Sequence, residues 1–241
     1  MLTTADFFRG DGNLPFDLVG AFPALDDLVG EARRLMLDDF LRGRTEVNGD
    51  VLGHVDLTGP VYVGAGSVIH PMVSIAGPAY IGRNCSIRHG AQIRSGSIIS
   101  DECVIGHDAE VKNTVCLTGA KLQSGIFAGD SVLGLGARVG SGTILSNRRF
   151  GQDSISLGSG DHKMTTDLEF LGAVIGDYAR LGANVVTAPG TVVGPYTWVA
   201  SLVSLFGYVP RGKLVLLKQE LEYRDKAETD LRSGRGEYER A

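Results

Sequence analysis

Residues 57–117 read LTGPVYVGAGSVIHPMVSIAGPAYIGRNCSIRHGAQIRSGSIISDECVIGHDAEVKNTVCL. Every sixth position in this stretch is aliphatic, from Leu57 through Val63, Ile69, Ile75, Ile81, Ile87, Ile93, Ile99, Ile105 and Val111 to Leu117. A step of six sustained over this length is the sign of a parallel β-helix, in which each short strand buries one side chain before the chain turns. The register returns as Phe127, Leu133, Val139 and Leu145, and again as Ile175, Leu181, an off-pattern Thr187, Val193, Val199 and Leu205. Residues 118–126 and 148–172 are therefore expected to be excursions from the coil. Insertions in a solenoid map to loops on one face, often the binding face.

Glycine follows the inward aliphatic in Val63-Gly64, Ile81-Gly82, Ile105-Gly106, Val139-Gly140, Ile175-Gly176, Leu181-Gly182 and Val193-Gly194. That placement predicts tight turns with positive φ at these glycines. The coil is expected over residues 49–208, between an N-terminal helical segment, 1–48, and a C-terminal helix and charged tail, 209–241. Pro23 to Arg42 reads as a helix with Leu25, Leu28, Val29, Ala32, Met36 and Phe40 on one stripe, covering the open end of the coil. Leu214, Leu217 and Leu221 suggest a short amphipathic helix, followed by a mobile tail through Gly234, Arg235 and Gly236.

A net charge of -5 with scattered Lys and Arg gives no footprint for nucleic acid, and no run approaches the roughly 20 apolar residues of a membrane span. The N-terminus lacks a basic-then-apolar signal pattern, which leads us to expect a cytoplasmic protein. Cys85 and Cys103, eighteen apart, should stack on neighbouring coils and stay reduced as small buried thiols in that compartment.

If three hexads make a turn, residues eighteen apart lie one above another, about 4.8 Å away. Arg94 and Lys112 then project from one face of adjacent coils. Opposed like charges are destabilising, so an anion such as a phosphate or carboxylate lies between them, or both heads reach into solvent, or Glu110 or Asp130 neutralises them. His89 and His107 stack in the same way, which raises a metal reading.

The segments GPAYIGRNCSIRHGAQIRSG, HDAEVKNTV, FAGDSVLGLGARVGSGTILSNRRF and LGAVIGDYARLGANVVTAPGTVVG resemble the acetyltransferase half of the bifunctional sugar-1-phosphate acetyltransferase and nucleotidyltransferase enzymes, especially the archaeal type. The likeness covers about residues 50–210. It implies an all-β, left-handed parallel β-helix of hexapeptide repeats, a homotrimer, and a cleft between chains where acetyl-CoA meets an amino-sugar 1-phosphate. Arg94 and Lys112 fall on the family's sugar-phosphate-binding pair, and Asn147 on its Asn near the acetyl group. Ser141, Ala183 and Ala200 fall where small residues admit the CoA pantetheine. Lys163, with Lys213 and Arg211 as comparable candidates, could touch a CoA phosphate.

The departures bear on mechanism. The family's general base is a histidine in words such as G-H-L-T-Y-L-G-D, where this chain carries Gln123-Ser124-Gly125-Ile126-Phe127-Ala128-Gly129-Asp130. Ser124 thus stands at the histidine and Phe127 at the tyrosine. An amine attacking a thioester needs a proton acceptor near neutrality. His107, Asp130, Asp161 and His162 are the candidates. With only 48 residues before the ladder, no nucleotidyltransferase domain is expected.

These features predict a CoA-dependent acyltransferase acting on a small anionic amine, with acetyl-CoA as co-substrate and no metal. The alternative is a catalytically inactive trimeric binding or scaffold protein derived from such an enzyme. A carbonic anhydrase on the same kind of coil would need a closely spaced histidine pair, which this chain lacks.

Overall fold

A computed structural model of the protein describes residues 3–151 and 153–225. The chain winds through three parallel sheets of nine, nine and eight strands. The first sheet runs from Glu46–Val47 to Tyr208–Val209, the second from Asp50–Val51 to Leu214–Val215, and the third from Asp56–Thr58 to Ser204–Leu205. The protein is a parallel β-helix of hexapeptide repeats, as the ladder predicts, and is consistent with the left-handed coil that the resemblance implies. Ile81 pairs with Ile99, Ile87 with Ile105 and Ile93 with Val111, and the aliphatics at these positions fill the coil.

The first expected excursion does not exist. Ile99 pairs with Cys116, and Cys116 with Leu133, so these two turns are one residue shorter than their neighbours. The inward residues are therefore Cys116, Leu122 and Ala128, not Leu117 and Phe127. Residues 118–126 are ordinary coil containing the strand Lys121–Leu122. A corner that drops one residue shifts the hexad phase without expelling a loop. The second excursion is real: the chain leaves after Ile144–Leu145 and rejoins at Val174–Ile175.

The glycines serve close approach rather than turn conformation. None of the seven has positive φ, which falls two residues later, as at Gly66, Asn84 and Asp108. A Cβ on Gly106 would lie 2.4 Å from the Gln123 carbonyl carbon of the next coil, and one on Gly140 2.5 Å from that of Gly182. Side chains there would push the coils apart.

Among the described residues the N-terminal segment contains three helices, α1 (Thr4–Phe7), α2 (Leu18–Ala21) and α3 (Glu31–Leu41). The long helix starts later than the apolar stripe suggests. Val29 and Gly30 donate backbone hydrogen bonds to the Asp26 and Asp27 carbonyls in a turn, and Gly30 caps α3. The segment does not cover the open end of the coil; it lies along the outside of the first sheet. That surface is apolar, presenting Tyr80, Ile98, Val115, Val132, Val174 and Val192, and it packs with Phe7, Leu18, Leu25 and Leu37 in a second core. Ile155, Leu157 and Leu171 of the real excursion join the same core. A sheet that is apolar on both faces must be covered on both.

At the other end, Leu214–Val215 is a strand paired with Trp198–Val199, and residues 216–225 have no regular structure. The open ladder captures this segment by accepting Trp198 N–H at Lys213 O and Ala200 N–H at Val215 O, 2.8 Å each. The predicted helix is thus replaced by a last rung, while Gly234, Arg235 and Gly236 lie outside the described residues. No helix among the described residues is long and apolar enough to cross a membrane.

Candidate active site

The third sheet ends each strand at a corner where side chains of successive coils stack. Gln92–Arg94, Glu110–Lys112 and Phe127–Gly129 lie in register, so Arg94 sits against Lys112 and Lys112 against Gly129. Neither cation is left alone. Arg94 Nη1 lies 2.7 Å from Glu110 Oε1, and Lys112 Nζ 3.0 Å from Asp130 Oδ2. Of the readings of this stack, internal neutralisation by Glu110 and Asp130 is what the isolated chain displays.

Asp130 is the centre of the arrangement. It is 4% exposed, and its carboxylate accepts from Lys112, from Asn113 Nδ2 at 2.7 Å and from Asn147 Nδ2 at 2.6 Å. Asn113 and Asp130 sit in the left-handed region, φ 46° and 47°, which Asn and Asp tolerate better than other side chains. Gly129 is required for the contact with Asn147, because a Cβ there would lie 2.6 Å from Asn147 Nδ2.

Helix α3 reaches into this corner. Arg33 is fully buried and donates to the Gly96 carbonyl and to Asn113 Oδ1. Burial pushes its guanidinium down to about 10. Arg34 joins Arg94, Lys112, Asp130 and Phe170 in lining an open cleft. Phe170, from the long excursion, holds its ring 4.4 Å from Lys112 Nζ and 5.7 Å from the Arg148 guanidinium. Beyond it a second, more apolar cleft is lined by Arg148, Arg149, Phe150, Pro189 and Phe206.

The opposite edge of the third sheet carries another column. His89, His107, Ser124, Ser141 and Ala183 follow one another up the coil, each carbonyl accepting the amide that follows the next member. The imidazoles of His89 and His107 are 5.4 Å apart and tilted by 30°. His107 Nδ1 is 2.9 Å from the His89 carbonyl, so it carries a proton, and Nε2 is 2.9 Å from Asp108 Oδ2. His89, His107 and Asp108 offer three ligand atoms within 4.8 Å of one another, all exposed, as a group that could accept a metal ion.

The predicted site residues therefore form two groups. Arg94, Lys112, Asp130 and Asn147 meet at one edge of the third sheet; His107, Ser124, Ser141 and Ala183 line the other. Ala200 falls outside the second column, because Ala183 pairs in register with Ser201. Asp161 and His162 belong to a short 3-10 turn, where the His162 ring lies 4.1 Å from Tyr208 of the first sheet; Lys163 follows it. They are not part of either column. Sequence reading missed Arg33, Asn113, Phe170 and Arg148. Asn113 had a signal, since Asn113, Asp130 and Asn147 recur every seventeen residues, the length of the shortened turns.

Residues 60–95 match the family model of the bacterial transferase hexapeptide (six repeats). The repeat over these residues is of that hexapeptide type. Among curated proteins, the chain is 38% identical over 177 residues to the "Bifunctional protein GlmU" of Methanococcus maripaludis, covering 73% of this chain and 43% of that protein. It is 32% identical over 85 residues to the "Bifunctional sugar-1-phosphate nucleotidylyltransferase/acetyltransferase" of Sulfurisphaera tokodaii, covering 35% and 21%. It is also 35% identical over 110 residues to the "Uncharacterized acetyltransferase YaiX" of Escherichia coli, covering 46% and 47%. The chain thus spans less than half the length of these relatives.

Proposed function

We propose that this protein transfers an acyl group from a CoA thioester to the amine of a small anionic acceptor, such as an amino-sugar phosphate. The observation that carries this reading is the Asp130 carboxylate, which accepts from both Lys112 and Asn147 and lines a cleft together with Lys112 and Arg94. Arg94 and Lys112 take the acceptor's anion by exchanging their internal carboxylates for it, and Asn147 orients the reacting groups. Resemblance to acetyltransferases supports the reaction class, and to sugar-1-phosphate enzymes the acceptor class. Acetyl-CoA is the donor that follows from the same likeness.

The donor fits the upper part of the third sheet. The second cleft combines apolar Phe150, Pro189 and Phe206 with Arg148 and Arg149, a lining suited to an acyl arm and its phosphates. Ser141 and Ala183 leave room along the other edge. In a trimer with sites between chains, the two edges come from neighbouring subunits.

The reaction forms a C–N bond, moves the ammonium proton to a base and expels the CoA thiolate. Ser124 is not a base, and Asp130 is buried and still accepts from Asn113 and Asn147 when Lys112 turns to the anion. His107 is the acceptor we assign. Its Nδ1–H is fixed by the His89 carbonyl, and Nε2 takes the proton once it gives up its 2.9 Å contact with Asp108 Oδ2.

A thiol-release assay with acetyl-CoA tests the proposal, run with glucosamine 1-phosphate, glucosamine and a small panel of amines. Acceptor-dependent release is expected, with a lower KM for the phosphorylated amine. Lys112→Met and Arg94→Met should each raise that KM by about ten- to hundredfold, the worth of a charge-assisted hydrogen bond. His107→Gln should depress kcat. Silence with every amine, together with no CoA binding by calorimetry, overturns the reading and favours a non-catalytic binding protein.

A further inference from the structure

We propose that Arg33, from the N-terminal helix α3, is a positioning residue for the candidate site, acting through Asn113 to fix the Asp130 carboxylate. The inference rests on the acyltransferase reading for its kinetic consequence, but its geometry stands independently of that reading.

An arginine is an expensive way to dock a helix. The neighbouring contacts of α3 are made by Leu37 and Leu41, and an apolar side chain at position 33 would bury comparable area without desolvating a charge. Arg33 Nε has no hydrogen-bond partner among the described residues, so this guanidinium is not placed for its own best satisfaction. What the position gains is the fork. One arm is spent on the Gly96 carbonyl and the other on Asn113 Oδ1.

That second contact decides which way the Asn113 amide faces. An amide has one acceptor oxygen and one donor NH2. Once Arg33 claims the oxygen, the NH2 faces Asp130 Oδ1 at 2.7 Å and the Val29 carbonyl at 3.1 Å. Both are acceptors. The opposite orientation would set the amide oxygen against the Asp130 carboxylate. Anchored at Oδ1, Asp130 presents Oδ2 to Lys112 and Asn147 together. The N-terminal segment is in this view a working part of the site as well as a cover for the first sheet.

Arg33→Met, Arg33→Lys and Asn113→Ala test the relay in the full chain, each checked for folding by thermal melting. In crystal structures of the Arg33→Met and Asn113→Ala variants, Asp130 should swing away, lengthening its 3.0 Å contact with Lys112. In acyl transfer, both should lower kcat at least tenfold with the KM for acetyl-CoA unchanged. Arg33→Lys, which keeps the charge but can fill only one arm of the fork, should recover part of the loss. If Arg33→Met does not fold, Asn113→Ala, which keeps Arg33 on the Gly96 carbonyl and the apolar contacts of Leu37 and Leu41 in place, decides. Unaltered Asp130, Lys112 and Asn147 geometry in the variants overturns the relay even if the wild-type protein transfers no acyl group. Altered geometry with wild-type kcat overturns its role in catalysis.

Discussion

Thr187 occupies an inward rung of the third sheet, paired with Leu145 below and Leu205 above. It is fully buried, and its hydroxyl has no hydrogen-bond partner among the described residues. A buried hydroxyl without a partner costs free energy that an isosteric methyl does not. Thr187→Val should therefore stabilise the coil by about 1 kcal/mol, read as a shift of the urea midpoint at constant slope. A destabilised variant would mean that the hydroxyl is satisfied in solution. Asp130 shows the contrary situation: a buried carboxylate kept by three donors, where removal of one partner strands a charge.

At the scale of elements, the N-terminal segment is held by side chains as well as by its apolar core. Asp177 accepts from the backbone amides of Arg9 and Leu135, each at 2.8 Å, and Asp11 accepts from Thr118. Burial, with Asp27 and Asp167 nearby, raises the Asp26 carboxyl above its usual range. A raised carboxyl binds its proton in the folded chain where the unfolded chain has already released it. Stability accordingly falls as pH rises from the usual value, about 3.8, through the raised one, and the penalty is complete above it. Asp26→Asn should raise Tm at pH 7 and leave it nearly unchanged at pH 3. An equal gain at both values would show that charge is not the cause. The coil itself was legible because each rung buries one residue at a fixed step. The covering of the first sheet was also written in the sequence, as apolar doublets such as Ile98-Ile99, Val132-Leu133 and Val192-Val193, although the hexad count uses only the second member of each. The Arg94 and Lys112 stack followed from the eighteen-residue turn, and Asp130 was anticipated as a counter-ion or base, whereas Asn113 was hidden by the one-residue phase slip. Arg33 could not be found by spacing, since its partners lie 63 and 80 positions away.

Over the whole molecule, the three faces of the coil differ in what covers them. The first is clothed by the chain's own N-terminal segment and long excursion. The third changes character along its length: Gln92 and Glu110 give way in the same outward column to Phe127, Ile144 and Val186. Ile144 is 43% and Val186 40% exposed, and Trp198 on the second face 55%. Apolar rows of this kind, left open while an equivalent row is covered, mark an interaction surface. The occupant we expect is another copy of this chain, in the homotrimer that the family resemblance implies, with the apolar part of the third face against a neighbour and the polar part open to the acceptor. Light scattering should give three chains per particle at micromolar concentration. Ile144→Lys combined with Val186→Lys should yield monomers that keep the β-rich circular dichroism of the coil, because neither side chain belongs to the interior. If the two columns flanking the third sheet act together only across a subunit boundary, these monomers lose acyl transfer while retaining anion binding at Arg94 and Lys112. Monomers with full transfer activity would place the whole site within one chain.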